Sequence, residues 1–230
     1  MEDKKIFSFQ DYLEYQDKVK KSLDNDERTL FFNESIVHAS IVTRAIIEKS
    51  ILSKTPINMF CGEFSLFRNG FKEHLSKIKD KLESNPDTKK HQNEFEKFDP
   101  YNDLIKSLTT FFEQDQKLNV IIANTIDGIE KEGIWTSTLE PNFKKGNLVF
   151  YKLNTQFEID HFMVSGHAFR KEISGDAKTA ICSINRKEYA DILQESFNIL
   201  KKYSTPPPRP RASCSRLFPT SLASTVLSKS

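Results

Sequence analysis

FEIDHFMVSGHAFRKEISGDAKTAICSIN, residues Phe157–Asn185, is the stretch from which the fold can be inferred. Its three runs of β-forming residues are Glu158–Val164, His167–Ile173 and Thr179–Ile184. Ser165-Gly166 lies between the first two runs and predicts a hairpin, because glycine tolerates the positive φ of tight turns. A second turn signal, SGD, precedes the third run. The stretch therefore predicts three consecutive strands, with His161 inside the first of them.

Helical and strand patterns alternate along the rest of the chain. Ser8 and Asp11 form a capping-box pattern that opens the first helix, and apolar residues at helical spacing predict the others. The predicted helices run from Ser8 to about Leu23, from Asn33 to about Leu52, from Phe71 to Leu82, from Asp99 onward and from Arg186 to Tyr203. The other predicted strands are Thr29–Phe32, a strand and loop over Ile57–Phe67, Leu118–Ala123 and Leu148–Leu153, with loops over Glu83–Phe98 and Asn124–Asn147. This order predicts an α/β fold, a mixed β-sheet flanked by helices.

Charge and composition divide the chain into a body and a tail. The 230 residues carry a formal net charge of only +2, which does not by itself indicate nucleic-acid binding. The part after residue 204 contains four basic residues and no acid, so the basic excess lies there. We predict one domain over residues 1–204 and a disordered Pro- and Ser-rich tail over residues 205–230. The composition of the tail also fits a cloning-derived or out-of-frame extension.

Cysteine usage and hydropathy indicate where the protein works. Cys61, Cys182 and Cys214 are far apart in sequence and form no CxxC pair, so a metal site is not expected. Cys61 and Cys182 lie in apolar runs, which is typical of buried free thiols in a reducing compartment. The first residues lack an apolar signal-peptide core, and no run approaches the roughly 20 apolar residues of a membrane span. We therefore expect a cytoplasmic protein with no membrane partner.

Two short segments resemble the motifs of the phospholipase D superfamily in its one-repeat form. In that family a strand carries His-x-Lys with Asp five residues after the Lys, and a later strand end carries Gly-Ser-x-Asn before a helix. Here the corresponding segments are His161-Phe162-Met163 and Cys182-Ser183-Ile184-Asn185. The resemblance extends over Thr29–Tyr203 and includes an opening α-β element, HASIVTRAIIEKSILSKTPINMF, and a closing helix, ADILQESFNILKKY. It implies a phospholipase D-like fold in which His161, Ser183 and Asn185 converge.

The resemblance also implies a chemistry that needs neither a metal nor a cofactor. The family's His attacks the phosphorus of a phosphodiester and forms a covalent phosphohistidine. A second His, from another repeat or subunit, protonates the leaving oxygen, so a chain with one repeat is expected to form a two-fold homodimer. By resemblance, His161 would be the nucleophile, and Ser183 and Asn185 would orient the phosphate and the nucleophile.

The chain departs from the family's motifs where the cation and the acid should be. Met163 stands in the position of the Lys, Ala168 in that of the Asp, and Cys182 in that of the Gly. Each lost phosphate contact costs on the order of 10²–10³ in rate, so two losses predict a slow or inactive site.

Residues on the second strand of the hairpin are the candidates to replace the missing groups. Arg170 or Lys171 would supply the cation, and Glu172 would be the orienting carboxylate. Because side chains alternate along a strand, at most one of the two basic residues can point at His161.

Two further candidates and three functions complete the prediction. Glu63 and Ser65 follow a buried strand, and in open α/β sheets ligands bind at the carboxyl ends of strands.

The first function is a degenerate phospholipase D-like binding or assembly module, associated with bacterial nucleic-acid processing or defence and with a nucleic acid or a protein as partner. The second is a metal-independent phosphodiesterase or nuclease with His161 as nucleophile. The third is a purely structural interaction protein.

Overall fold

The computed structural model describes residues 7–62, 64–124, 129–155, 157–173 and 176–206, without the side chains of residues 176–178. The helices in this part of the chain are α1 (Phe9–Asp24), α2 (Ile36–Ser53), α3 (Asn69–Glu83), α4 (Gln92–Lys97), α5 (Pro100–Glu113), α6 (Glu140–Lys145) and α7 (Lys187–Lys202). The strands are β1 (Phe31–Asn33), β2 (Ile57–Cys61), β3 (Leu118–Ile122), β4 (Leu148–Leu153), β5 (Phe162–Ser165), β6 (Ala168–Ile173), β7 (Asp176–Ser183) and β8 (Ser204–Thr205).

The strands form a mixed eight-stranded sheet in the order β1-β7-β6-β5-β2-β3-β4-β8. Strands β2, β3 and β4 are parallel, whereas β5, β6, β7 and β1 alternate in direction beside them. We call the edge of the sheet at which β2, β3 and β4 end the carboxyl edge. Because of the alternation, β5 begins and β6 ends at this same edge. The predicted α/β class, with a mixed sheet and flanking helices, is confirmed.

Helices cover both faces of the sheet. Helices α1, α2, α3 and α5 contribute to one core with alternate residues of the strands, among them Met59, Met163 and Cys182. Helix α7 packs on the other face, where Phe60, Phe162 and other strand residues form a second core. Its inward residues, Ala190, Leu193, Phe197 and Leu200, lie at helical spacing and are all buried. The apolar run of β3 contributes to both cores, as expected for a strand covered on both faces.

Local sequence signals place several of these elements. The hydroxyl of Ser8 accepts from the Asp11 amide and the Asp11 carboxylate accepts from the Ser8 amide, so the predicted capping box is confirmed. Asp99 caps α5, with its carboxylate accepting from the Asn102 amide. The predicted hairpin is also confirmed, with Gly166 at φ 54° between the paired strands β5 and β6.

Several predicted boundaries were wrong. Strand β5 begins at Phe162, so His161 lies just before the strand and not inside it. Asn33 belongs to β1, and α2 begins only after its N-cap at Ser35. Asn69-Gly70 opens α3, which therefore begins two residues before the predicted start at Phe71. At Asn33 and Asn69 the chain joins a strand or a helix where local composition favoured another conformation.

Two predicted loops contain helical structure. Residues 83–98 include a 3-10 turn and α4, which carries the buried Phe95. Residues 129–147 include a 3-10 turn, a π-helical turn and α6, with Trp135 buried. Both segments are polar overall, and a few large apolar side chains attach them to the core. Tertiary packing therefore decides their structure.

The C-terminal boundary of the domain lies later than predicted. Thr205, which we assigned to the tail, pairs with Lys152 as part of β8. Residues 207–230, which contain almost the whole predicted tail, lie outside the described residues. Among the helices that the structure describes, none combines the length and the apolar character needed to cross a membrane.

Candidate functional site

A pocket of about 200 Å³ opens at the carboxyl edge of the sheet. The ends of β2 and β6, the start of β5 and the segment after β3 form its walls. Its polar lining consists of Ser65, Asn124, His161, Arg170 and Glu172. The parallel strands thus present their carboxyl ends to a cavity, which is where open α/β sheets bind ligands.

Three of these side chains form a hydrogen-bonded chain from the mouth of the pocket to the interior. His161 Nδ1 lies 2.9 Å from Glu172 Oε2, and Arg170 Nη1 lies 2.9 Å from Glu172 Oε1. The exposed fraction of the side chain falls from 35% at His161 to 7% at Glu172 and 3% at Arg170. Arg170 and Glu172 are two positions apart on β6, so strand alternation places both side chains on the same face.

The charge of Glu172 fixes the orientation of the imidazole. Burial alone would raise the pKa of Glu172, but the hydrogen bond from His161 and the charge of Arg170 outweigh it and hold the pKa below its usual range. The carboxylate is therefore ionised at neutral pH and can only accept hydrogen bonds. His161 consequently donates from Nδ1, and in the neutral ring Nε2 is left as the acceptor.

The second ring nitrogen of His161 lies close to the chain at Gly62. A Cβ atom at Gly62 would lie 3.2 Å from His161 Cε1, 3.3 Å from Nε2 and 3.2 Å from Asn124 Nδ2. The absence of a side chain at this position therefore lets the imidazole and the Asn124 amide approach each other. Phe60 contacts the ring edge-on, with centroids 5.7 Å apart. A ligand in the pocket would meet Nε2 and the amide together.

Ser183 and Asn185 lie elsewhere, and the expectation that they converge with His161 is wrong. Strand β7 runs in the same direction as β5, so the residues that end β7 lie at the opposite edge of the sheet from the residue that begins β5. Asn185 Nδ2 donates to the carbonyls of Ser22 at 2.7 Å and Glu27 at 3.3 Å. Ser183 is fully buried, and its hydroxyl accepts from the Asn185 amide. Asn185 thus attaches the end of β7 to α1 and to the segment that follows it.

The remaining predicted site residues divide between the pocket and the surface. Ser65 lines the pocket. Lys171 points to the other side of β6, is exposed, and pairs with Asp160 at 2.8 Å, so Arg170 is the basic residue that shares a face with the His161–Glu172 pair. Glu63 lies outside the described residues.

The prediction missed Gly62 and Asn124, for which the signals in the sequence are weaker. Gly62 directly follows the buried strand β2, and Asn124 follows Ala123, the apolar residue after β3. Their position at the carboxyl ends of strands is the only signal that could have found them. Cys61 also lines the pocket. Burial raises the pKa of its thiol to about 12, so it is protonated at neutral pH.

The pocket contains little fixed positive charge. Met163 lines it at the position where the phospholipase D motif has Lys. Arg170 is the one basic side chain among the described lining residues apart from His161, and its charge is balanced by Glu172. Lys152, near the rim, donates to the Ala123 and Asn124 carbonyls. In the part of the chain that the structure describes, no three His, Cys, Asp or Glu side chains are grouped so that they could hold a metal ion.

Comparison with known proteins gives a limited result. No family model matches the chain, and no curated protein matches it. Among solved structures, it is similar to TrmBL2, an archaeal chromatin protein with a novel mode of DNA binding, at 14% identity and a TM-score of 0.46. The match covers 85% of this chain and 64% of TrmBL2, so the chain spans less than two thirds of that protein. A likeness of this size carries no argument about function.

Proposed function

We propose that this protein is a degenerate phospholipase D-like module that binds a phosphate-bearing ligand, a phosphodiester of nucleic acid, in the pocket around His161. The observation that carries the proposal is the half-exposed imidazole whose Nδ1 is held by the buried Glu172. Holding one ring nitrogen by a carboxylate fixes the tautomer of the ring and directs the other nitrogen toward a ligand. The link to bacterial nucleic-acid processing or defence belongs to the same proposal and follows from the resemblance alone.

The composition of the pocket supports binding in preference to turnover. The Arg170–Glu172 pair is neutral as a unit, so the lining gains net positive charge only when His161 is protonated. Without the family's Lys, and with Ser183 and Asn185 at the other edge of the sheet, charge that develops on phosphoryl oxygens has few donors to stabilise it. A protonated His161 and the Asn124 amide can still donate to a bound phosphate oxygen.

Binding of labelled single-stranded DNA, double-stranded DNA and RNA by fluorescence anisotropy tests the proposal. His161→Ala should weaken binding at least about tenfold, because it removes a hydrogen bond to a charged group. His167→Ala is the matched control, since this exposed histidine lies in the hairpin turn and outside the pocket lining. No binding of any of these probes, or equal binding by both variants, contradicts the proposal.

A metal-independent phosphodiesterase is the second candidate, and the 2.9 Å contact between His161 and Glu172 favours it. In that function Nε2 of the neutral imidazole forms a bond to the phosphorus as the bond from phosphorus to the leaving oxygen breaks, which gives a phosphohistidine. The leaving oxygen takes its proton from a second histidine, supplied by another copy of the chain, or from water. Nucleic-acid cleavage that persists with excess chelator, disappears in His161→Ala and leaves a trapped phosphohistidine would establish it. Binding without cleavage would favour the binding module. The absence of both binding and cleavage would favour the structural interaction protein.

A further inference from the structure

Helix α7 carries an apolar stripe on a side that faces solvent. The stripe consists of Tyr189, Ile192, Ser196, Ile199 and Tyr203 at the end of the helix, at spacings that place them within an arc of about 80° on an α-helix. The four large side chains are 47%, 62%, 47% and 52% exposed in chain order. They are four of the seven large hydrophobic residues that are exposed in the described part of the chain. Exposed apolar side chains are normal when scattered, but such a concentration on one helix indicates a contact surface.

The order of residues in the stripe is the same in both directions. Read from either end it is Tyr, Ile, Ser, Ile, Tyr, with the small residue Ser196 in the middle. The Ser196 hydroxyl already donates to the Ile192 carbonyl at 2.9 Å, so it can be buried without losing its hydrogen bond. A two-fold axis beside Ser196 would place Tyr189 near the partner's Tyr203 and Ile192 near the partner's Ile199. A small residue at the crossing point lets two helices approach closely.

The charges beside the stripe favour one direction of pairing. Glu188 flanks the N-terminal end of the stripe, Glu195 lies beside Ser196 at its centre, and Lys202 flanks its C-terminal end; all three are exposed on the same side of the helix. Antiparallel helices would place Glu188 of each copy near the partner's Lys202, whereas a parallel two-fold pair would put these flanks on opposite sides of the contact and leave the charges unmatched. Opposite charges across an interface fix its orientation more than they strengthen it.

We propose that the stripe on α7 binds the same stripe of a second copy of this chain, antiparallel and related by a two-fold axis beside Ser196. Only four large apolar side chains of each copy, each about half exposed, form the contact, so we expect a weak dimer with a dissociation constant of roughly micromolar size. No described residue of α7 lines the pocket around His161. This dimer therefore differs from one in which two such histidines share a site, and it does not depend on the proposed function.

Sedimentation velocity over about 1–200 µM of the full chain tests for this dimer. Replacing both Ile192 and Ile199 by Glu should raise the dissociation constant at least about thirtyfold, since it puts charge at the centre of the contact. Leu52→Glu is the matched control, because Leu52 is 70% exposed on α2 and outside the stripe. A monomer at all concentrations, or equal effects of the two changes, would overturn the proposal. The proposal would also be overturned if the full chain stayed monomeric while a chain ending at Pro206 dimerised, since the stripe would then bind the chain's own C-terminal segment.

A charge exchange tests the antiparallel direction. Glu188→Lys and Lys202→Glu should each weaken the homodimer. Each change puts like charges at both contacts between position 188 of one copy and position 202 of the other. A mixture of the two variants should form a heterodimer at wild-type strength, since both contacts then join opposite charges. In addition, Ser196→Cys in a Cys214→Ser background should form a disulfide between copies on mild oxidation. Variants that dimerise as the wild type does, or a Ser196→Cys protein that stays reduced, would refute the arrangement.

Discussion

His161 and Glu172 are eleven positions apart and are joined twice, once through the backbone and once through their side chains. The Glu172 amide donates to the His161 carbonyl at 2.8 Å, and His161 Nδ1 donates to the Glu172 carboxylate at 2.9 Å. The backbone contact sets the distance between the two residues, and the side-chain contact sets the rotation of the ring. The imidazole is therefore oriented by β6 before any ligand arrives.

Removing the charge of Glu172 should destabilise the protein strongly. Glu172→Gln leaves the buried Arg170 without its counter-ion, which costs about 3–5 kcal/mol in the free energy of unfolding. The double change Arg170→Met with Glu172→Gln should recover much of this loss, because no uncompensated charge remains. Urea unfolding of the two single variants and the double variant measures the coupling. Additive losses would show that the two side chains do not act as a pair.

The contribution of Glu172 to stability should depend on pH in one direction. Its pKa is lower in the folded protein than its usual value of 4.5, so the unfolded chain takes up the proton first as the pH falls. The stabilisation is complete above the unfolded pKa and is lost as the pH falls through the folded one. The difference in unfolding free energy between the wild type and Glu172→Gln should therefore be constant near neutral pH and shrink below about pH 4.5. A difference that grows on acidification contradicts this sign.

Adding one methyl group at Gly62 should impair the pocket selectively. In Gly62→Ala the new Cβ lies 3.2 Å from both His161 Cε1 and Asn124 Nδ2, so the ring or the amide has to move. We expect ligand binding at least about tenfold weaker, with the fold retained, as measured by anisotropy and thermal unfolding. Gly70→Ala is the control: its Cβ meets nothing within 4 Å, and within α3 it should be neutral or slightly stabilising. Equal effects of the two changes on binding would exclude a role for Gly62.

Asn185 should contribute to stability and not to ligand binding. Asn185→Ala removes the buried hydrogen bond to the Ser22 carbonyl and one of the two side-chain donors to the Glu27 carbonyl, and should cost about 1–3 kcal/mol. Asn124→Ala, in the pocket, should show the opposite pattern, with weaker binding and little loss of stability. Parallel measurements of unfolding and binding on both variants make the comparison. Loss of binding in a well-folded Asn185→Ala protein would show that Asn185 contributes to the ligand site.

The two buried thiols should be inert in the folded protein. Burial raises the pKa of Cys61 and that of Cys182 to about 12, so little thiolate is present at pH 8. In a Cys214→Ser background, the reaction with a chromogenic disulfide should be slow until denaturant is added. Fast modification of the folded protein would mean that the wall of the pocket opens at Cys61.

Local signals in the sequence predicted the elements but not how they are arranged. The helical period of α7 and the capping box at Ser8 depend on neighbours in sequence, and both predictions are confirmed. The segments that carry Phe95 and Trp135 were assigned to loops, because their helices depend on packing against distant residues.

The candidate site shows the same limit. Arg170, Glu172 and His161 meet because β5 and β6 form a hairpin, which the turn signal predicts. Asn185 was placed with them on the spacing of a motif. Spacing does not reveal how often the chain reverses direction between two strands. The chain reverses once more between β6 and β7, so Asn185, after the end of β7, lies at the edge of the sheet opposite His161. Whether the family resemblance reflects common ancestry therefore stays a prediction.

The contact of Asn185 with the Ser22 and Glu27 carbonyls has a consequence for how the protein is made. During synthesis on the ribosome, α1 and β1 emerge long before their partners β7 and Asn185, which follow about 150 residues later. The N-terminal part cannot complete its fold while the chain is still growing. Chaperones that shield nascent apolar segments should therefore improve its yield, and chains interrupted before β7 should aggregate or be degraded.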